Sequence, residues 1–443
     1  MARERMTPRR EDDTPRAPRT QENPVARVLA LQRGAGNAAV AQLLRKDKTP
    51  QGDPPRAGGW NEAERDVAGT KRVPVDGITA GNQDPDVKKQ SSEGAAGKAI
   101  VVVPNSVDVK AHPDVLLFFH GMGNLGYRER LTDDSSRGPA GSVHDVEADR
   151  MEQQLAHSGR NIVGVLPQGT SAATFGIADP QAYVTEVLAK AAAKLSVPAI
   201  TSGRIIVSGH SGGGRPAVAA ATKLTATAPT TDDEWFNQPP LFLFDGINGP
   251  NEANAIGDLM DKWLDADLVR LKASSDPVAL LNRRAIRLRS THTSSDLYTA
   301  TNLGGNYDTE VSDGVDENKK PKTKTVTVKI APERSLKGRI DGWFTKHKTE
   351  LGPLAAQLRA QYDVPDQAVS GGHEATVGTG SLETDSKKRD AAPAGLTGAS
   401  KTAGVPGYSG GGHLEESLSK LPPPPPPPKH AGLEAPERDE VPA

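Results

Sequence analysis

The chain has 443 residues, of which 35% are hydrophobic and 4% aromatic, with 45 glycines and 36 prolines. This composition is lean for a chain that is folded throughout, so it predicts substantial disorder rather than several cores. A formal net charge of −2 argues against nucleic-acid binding by bulk charge, and the lack of cysteine excludes disulfides, thiolate zinc sites and cysteine nucleophiles.

The N-terminal segments are predicted to lie outside the folded region. Residues 1–23 are polar and charged, which predicts a disordered arm, and they lack the apolar stretch of a signal peptide. Residues 24–45 carry Val25, Val28 and Leu29 on one helical face, ahead of a glycine turn and a second short helical pattern. Such a hairpin buries little surface alone, so we expect it to dock on a partner.

The same segment, Pro24 to Arg45, resembles the N-terminal leader of cargo and toxin-like proteins of extracellular contractile injection systems. The resemblance is carried by Leu31, Gln32, Arg33, Ala35, Gly36, Asn37 and Val40. It implies loading into a phage-tail-like particle, and it implies no catalytic activity. No apolar run is long enough to span a membrane, so we expect a cytoplasmic protein that is exported, if at all, inside such a particle.

Residues 46–98 are rich in glycine, proline, aspartate and lysine, which predicts a linker to a domain over residues 99–377. In the domain, β-branched or apolar runs alternate with helical patterns, which predicts a mainly parallel sheet with helices on both faces. The predicted strands cover 99–103, 115–119, 161–166, 205–207, 241–244, 285–290, 325–330 and 364–369. The predicted helices cover 143–157, 180–195, 217–224, 252–271 and 334–362, the last broken at Pro353, and residues 304–322 are predicted to be a loop.

Glycine, serine, lysine and alanine dominate residues 378–443, which also contain seven consecutive prolines from Pro422 to Pro428. This composition predicts a disordered tail with a polyproline II tract. We expect the tract to be a spacer, with a ligand for an aromatic groove as the alternative.

The clearest chemical signal surrounds Ser211. A strand-forming run ends in Gly209-His210-Ser211-Gly212-Gly213, and a helix-favouring run follows. A serine on such a turn has a strained backbone, and glycines two residues away on either side remove side chains that would collide with neighbouring elements. The turn therefore presents the Ser211 hydroxyl and the Gly212 N–H to the same space.

We interpret this glycine-rich turn as a nucleophile elbow, that is, a strand-to-helix turn that carries the catalytic serine. The main rival interpretation is a phosphate-binding loop. Gly209 to Gly214 also has the Gly-x-x-x-x-Gly spacing, but a lysine and a serine or threonine should follow it. This chain has Arg215 and Pro216 there, and proline has no hydroxyl for a magnesium ion.

A second motif, His120-Gly121-Met122-Gly123, follows the strand predicted at residues 115–119. In architectures with a nucleophile elbow, this position supplies the other half of an oxyanion hole. The expected donors are the N–H groups of Met122 and Gly212. The polar residues 124–142 are expected to form a loop over the site.

With these motifs and this order of elements, residues 99–377 resemble the α/β-hydrolase superfamily. The resemblance implies a catalytic triad in the chain order serine, acid, histidine, with Ser211 as the nucleophile. For the base, His373 follows the last predicted strand and is preferred, with His413 second. For the acid, Asp245 is preferred, because it ends the strand predicted at residues 241–244, soon after the helix that follows Ser211. The alternative is Asp296, in the loop after the strand predicted at residues 285–290.

The implied chemistry is acyl transfer on an ester or amide, without a metal or an organic cofactor. Together with the leader, it predicts a serine hydrolase carried as an injection-system effector. The alternative is a non-catalytic hydrolase-like module that serves as cargo or as a structural part of the particle.

Overall fold

The structure is a computed structural model of the chain. It describes residues 66–67, 70–80, 97–121, 151–169, 173–284, 286–315, 321–369, 377 and 412–422. The predicted arm, leader and loop at residues 124–142 lie outside the described residues, as do Met122 and His373.

The described residues form a nine-stranded sheet with the order β1-β2-β3-β5-β4-β6-β7-β8-β11. Its strands are β1 (Asp66–Val67), β2 (Thr70–Val75), β3 (Ala99–Pro104), β4 (Asp114–Phe119), β5 (Ile162–Pro167), β6 (Ile205–His210), β7 (Leu241–Phe244), β8 (Leu288–Thr291) and β11 (Tyr362–Asp363). The strands from β5 to β11 in this order are parallel to one another, whereas the pairs β1–β2, β2–β3 and β3–β5 are antiparallel. The predicted fold class, a mainly parallel sheet flanked by helices, is thus confirmed.

Helices cover both faces of this sheet. They are α1 (Met151–His157), α2 (Pro180–Leu195), α3 (Gly214–Leu224), α4 (Asp232–Phe236), α5 (Pro250–Ala273), α6 (Pro277–Arg283), α7 (Asp296–Leu303), α8 (Leu336–Leu351), α9 (Leu354–Arg359) and α10 (His413–Ser419). One core layer lies between the sheet and α2, α3, α5 and α8, and a second lies between the other face and α1 and α10. The central strands are buried on both faces, which explains their uninterrupted apolar runs.

The prediction of a linker over residues 46–98 is wrong for residues 66–67 and 70–75, which form β1 and β2 at the antiparallel side of the sheet. Strand β2 pairs with β3 along its whole length, from Thr70 opposite Pro104 to Val75 opposite Ala99. Its sequence contains Lys71, Arg72 and Pro74, which weaken any local strand signal. Pairing with a neighbour that is distant in sequence overrides this local preference.

The loop predicted at residues 304–322 is also wrong in its described part. Strand β9 (Gly305–Val315) forms a two-stranded antiparallel sheet with β10 (Pro321–Ile330). Tyr307 and Ile330 pack against Ala300 of α7 at the base of this hairpin. The polar composition of β9 gives no local strand signal, and the strand forms because it pairs with β10.

The last strand of the central sheet is β11, a few residues earlier than predicted, and residue 369 makes only an isolated bridge to Thr293. The disordered tail predicted at residues 378–443 is wrong for residues 412–422. There Leu414, Leu418 and Leu421 pack into the second core layer beside Val377. An apolar stripe of three leucines is too short to stand out within a low-complexity segment.

Candidate active site

Ser211 lies at the junction of β6 and α3, at the carboxyl edge of the parallel strands. A 3₁₀ turn over Ser211–Gly213 separates the two elements. The backbone angle φ of Ser211 is 52°, in the left-handed region that residues with side chains rarely adopt. The residue is 5% exposed. The structure therefore places this serine on a strained strand-to-helix turn.

The two glycines that flank Ser211 are required by close backbone approach. A Cβ on Gly209 would lie 2.4 Å from the carbonyl oxygen of Gly213. A Cβ on Gly213 would lie 2.0 Å from the carbonyl oxygen of Phe119, at the end of the neighbouring strand β4. The collisions foreseen from the sequence therefore involve the turn itself and strand β4.

The His120–Gly121 motif lies directly beside Ser211, because β4 and β6 are parallel neighbours with Phe119 opposite Gly209. A Cβ on Gly121 would lie 3.0 Å from Ser211 Cβ and 3.5 Å from its Oγ. The structure thus brings these residues together, although their sequence positions are far apart.

The buried ring of His120 ties this loop to the residues that follow β5. The backbone N–H of Gly169 donates to His120 Nε2 over 2.9 Å, and His120 Nδ1 lies 2.6 Å from the Gly121 carbonyl oxygen. A nitrogen that accepts from an N–H carries no proton, so the proton of the neutral ring is on Nδ1 and is donated to Gly121. Burial lowers the pKa of His120 to about 4, which the bond to Gly121 only partly opposes.

Asp245 ends β7, the strand next to β6, and is fully buried. Its φ of 47° is also left-handed. Its N–H donates to the Thr291 carbonyl over 3.0 Å, and its Oδ1 accepts the Thr293 N–H over 2.7 Å. A buried carboxylate therefore lies at the same sheet edge as Ser211.

Asp296, the other predicted acid, is in a different environment. It is the first residue of α7 and is exposed to solvent. Solvent stabilises an exposed carboxylate without a partner, whereas a buried carboxylate needs one.

Of the two candidate bases, the structure describes His413 but not His373. His373 lies outside the described residues, but Val369, shortly before it, donates its N–H to the His292 carbonyl over 2.7 Å. Since residue 369 also bridges to Thr293, this segment runs beside the loop that binds Asp245. His413 is the first residue of α10, the helix that packs on the second core layer. Its Nδ1 lies 3.8 Å from Glu416 Oε2.

The sequence analysis gave no role to His292, which directly follows β8. The side chain is 1% exposed, and neither ring nitrogen has a hydrogen-bond partner in the described part of the chain. Burial lowers the pKa of His292, and the negative charges of Asp245 and Asp366 oppose this effect. It precedes further helices and strands in the chain, whereas the sequence favours a base after the last strand.

Asn248 and Tyr298 were also missed. The Asn248 side chain donates from Nδ2 to the Ser211 carbonyl over 2.8 Å, and Tyr298 Oη donates to Asn248 Oδ1 over 3.3 Å. No signal in the sequence marks these two residues.

Within the described ranges, no group of three or more histidine, aspartate or glutamate side chains is arranged to hold a metal ion. None of the described helices is both long and apolar enough to cross a membrane.

No protein-family model and no curated protein matches the chain. Among solved structures, it is similar to a thermostable esterase from Pseudomonas putida, with 20% identity, a TM-score of 0.22 and coverage of 49% of this chain and 54% of that one. An esterase from Pyrobaculum calidifontis is 15% identical, with a TM-score of 0.26 and coverage of 62% and 81%. Esterase B from Lactobacillus rhamnosis is 13% identical, with a TM-score of 0.22 and coverage of 58% and 69%.

The chain thus spans about half the length of the Pseudomonas putida enzyme. These similarities are too distant to assign an activity. The functional argument therefore depends on the geometry of the site.

Proposed function

We propose that the protein is a serine hydrolase that cleaves an ester or amide by acyl transfer. The observation that carries the proposal is the left-handed backbone of Ser211 on a tight turn beside Gly121. Such strain costs about 1–3 kcal/mol and persists where the surroundings impose it, most often at active sites.

In this proposal Ser211 Oγ attacks the carbonyl carbon while His373 takes the hydroxyl proton. The tetrahedral intermediate collapses, His373 gives the proton to the leaving group, and the acyl group stays on Ser211. Water then attacks the acyl-enzyme with the same base, which releases the acid and restores Ser211. Atoms and charges balance with the substrate and water alone.

We assign the acid to Asp245 rather than to Asp296. The carboxylate of Asp245 is buried at the end of the strand next to the elbow strand, where a charged partner stabilises it most. The Thr293 N–H donates to its Oδ1 over 2.7 Å, which fixes the carboxylate at this end of the strands. Asp296 is exposed and offers no such environment.

The oxyanion donors in this proposal are the N–H groups of Gly212 and Met122. In a trans peptide, each N–H points away from the carbonyl of the preceding residue. The neutral His120 ring holds the Gly121 carbonyl, and this contact supports the Met122 N–H as a donor on the opposite side. Loss of one such donor typically costs about 100- to 1000-fold in kcat.

The test is labelling of the purified full-length protein with a fluorophosphonate, which reacts with activated serines. We expect labelling of the wild type and none of Ser211→Ala or His373→Ala, with folding checked by circular dichroism. Ser196→Ala is the matched control, because Ser196 also has a left-handed φ of 54° but caps the C-terminus of α2. Ser196→Ala should be labelled like the wild type.

The outcome that overturns the proposal is a folded wild type that is neither labelled nor able to hydrolyse nitrophenyl esters of short and long acyl chains. The non-catalytic alternative would then stand. Labelling that persists in Ser211→Ala would place the reactive serine elsewhere in the chain.

We also propose, from the leader motif alone, that residues 24–45 load the protein into a contractile injection particle. Deletion of this segment should abolish co-purification with the particle and leave ester hydrolysis by the remaining chain unchanged. Co-purification that survives the deletion would exclude this role of the leader.

A further inference from the structure

We propose that Asn248 is a positioning residue of the oxyanion hole, because its side-chain amide holds the Ser211 carbonyl and so sets the direction of the Gly212 N–H. This inference rests on the proposed hydrolase function. The proposed role of Asn248 acts through the Ser211 carbonyl.

The orientation of the Asn248 amide follows from its contacts with Ser211 and Tyr298, and the same side chain also interacts with the Glu252 carboxylate. Nδ2 lies 2.8 Å from the Ser211 carbonyl oxygen, and Oδ1 lies 3.3 Å from the Tyr298 hydroxyl. A carbonyl can only accept a hydrogen bond, so the amide must present its NH₂ group to Ser211. The Tyr298 hydroxyl then completes the arrangement as a donor to Oδ1.

The backbone around Asn248 is anchored as well. Its N–H donates to Glu252 Oε2 over 2.6 Å, at the start of α5. Thr301 Oγ1 lies 3.2 Å from the carbonyl oxygen of the preceding residue, Ile247, and shares its single proton between this oxygen and two carbonyls of its own helix. The first of these bonds is charge-assisted and therefore among the stronger kinds. The loop after β7 is thus fixed independently of the elbow that it supports.

The contact matters because the peptide between Ser211 and Gly212 is planar. Its carbonyl and its N–H point in opposite directions, so a group that holds the carbonyl also aims the N–H. The Ser211 carbonyl accepts both the Gly214 N–H within the 3₁₀ turn and the Asn248 amide. Asn248 is the only one of these two anchors that comes from outside the turn.

An oxyanion donor acts on the charge that develops in the transition state rather than on the bound substrate. Loss of the Asn248 contact should therefore lower kcat and leave KM nearly unchanged. We expect a decrease of about 10-fold, less than for loss of a donor itself, because the Gly214 N–H still holds the carbonyl.

The test compares Asn248→Ala and Asn248→Asp with wild type in the hydrolysis of nitrophenyl butyrate. Asn248→Asp is the sharper variant, because it keeps the side-chain volume and the acceptor for Tyr298 but replaces the donor by an oxygen that repels the Ser211 carbonyl. Asn251→Ala is the matched control, since Asn251 is exposed in the first turn of α5. Its kcat and KM should equal those of wild type.

A second readout separates positioning from a merely structural role. A boronic acid forms a tetrahedral adduct on the serine that resembles the charged intermediate. Its affinity for the folded protein should fall by the same factor as kcat/KM in both Asn248 variants, whereas a loss of folding stability alone would leave the affinity of the folded fraction unchanged.

An active wild type with unchanged kcat in Asn248→Asp would overturn the inference and leave the proposed function intact. Variants that raise KM or unfold earlier without a loss of kcat or boronate affinity would show a structural role and also overturn it. A wild type with neither turnover nor fluorophosphonate labelling would overturn the proposed function first, and this inference with it.

Discussion

The carboxyl ends and the amino ends of the parallel strands differ in chemistry. At the carboxyl edge, Ser211 and Asp245 have left-handed backbones, with φ of 52° and 47°. At the amino edge, Asp114 at the start of β4 forms a buried ion pair with Arg204, just before β6, with 2.8 Å between Oδ2 and Nη2. Asp114 Oδ1 also accepts the backbone N–H of Arg204 over 3.1 Å.

The difference suggests that the two ends of the parallel strands have different roles. Backbone strain at the carboxyl edge must be offset by contacts elsewhere, and the ion pair joins β4 and β6 at the opposite end. The C-terminal segment adds to that end, because Arg160 donates to the carbonyls of Leu421 and Pro422. Changes at the carboxyl edge should therefore affect activity, and changes at the amino edge should affect stability.

The largest expected effect is at the carboxyl edge. Asp245→Asn keeps an oxygen for the Thr293 N–H but removes the negative charge that would stabilise a protonated histidine. We expect kcat to fall by about 10,000-fold with little change in thermal unfolding. Asp296→Asn, at the exposed first residue of α7, should stay near wild type in steady-state kinetics. The reverse result would transfer the acid role to Asp296.

The next effect is at the amino edge. Asp114→Asn leaves Arg204 buried without its counter-charge, which should lower the free energy of unfolding by about 3–5 kcal/mol. Folded Asp114→Asn should keep the kcat of wild type. Glu350→Gln is the matched control, because its ion pair with Lys272 is exposed and screened by solvent, so its unfolding in denaturant should stay close to that of wild type. Equal losses in denaturant unfolding would contradict the contrast between the two sites.

His120 should affect both activity and stability. Its pKa in the folded protein, about 4, is below its ordinary value of 6.5, so the unfolded chain binds the proton more readily. Its contribution is complete above pH 6.5 and is lost as the pH falls through 4, which amounts to about 3 kcal/mol between pH 7 and pH 4. Folded His120→Asn should show a correspondingly smaller loss of unfolding free energy over this range. Parallel pH profiles for the two proteins would exclude a buried neutral histidine.

The smallest effect concerns the docking of α10. Arg289 holds the pKa of Glu416 at about 2 through a 2.8 Å ion pair, but the Glu416 side chain is 42% exposed. Glu416→Gln should therefore change stability by less than about 1 kcal/mol. Leu418→Ala, at a fully buried position of the same helix, should cost roughly 2–5 kcal/mol in denaturant unfolding. A larger loss for Glu416→Gln would show that charge, rather than apolar packing, holds the helix.

The sequence alone was sufficient for the central strands and for the turn at Ser211. Both are encoded locally: a buried parallel strand needs a continuous apolar run, and a tight turn needs glycines at close spacing. The glycines at 209 and 213 were correctly identified as positions without room for a side chain. The seven-residue helix α10 and strand β2 were missed, since distant pairing and packing stabilise them against their local composition.

The tertiary structure alone showed which polar groups are buried and what they contact. The sequence favoured Asp245 over Asp296 only by its place in the chain, and it is folding that makes one buried and the other exposed. The contact of Asn248 with the Ser211 carbonyl joins residues 37 positions apart, and no local pattern encodes it. Burial and hydrogen-bond partners depend on how strands and helices pack, whereas backbone strain at a turn depends on a few adjacent residues.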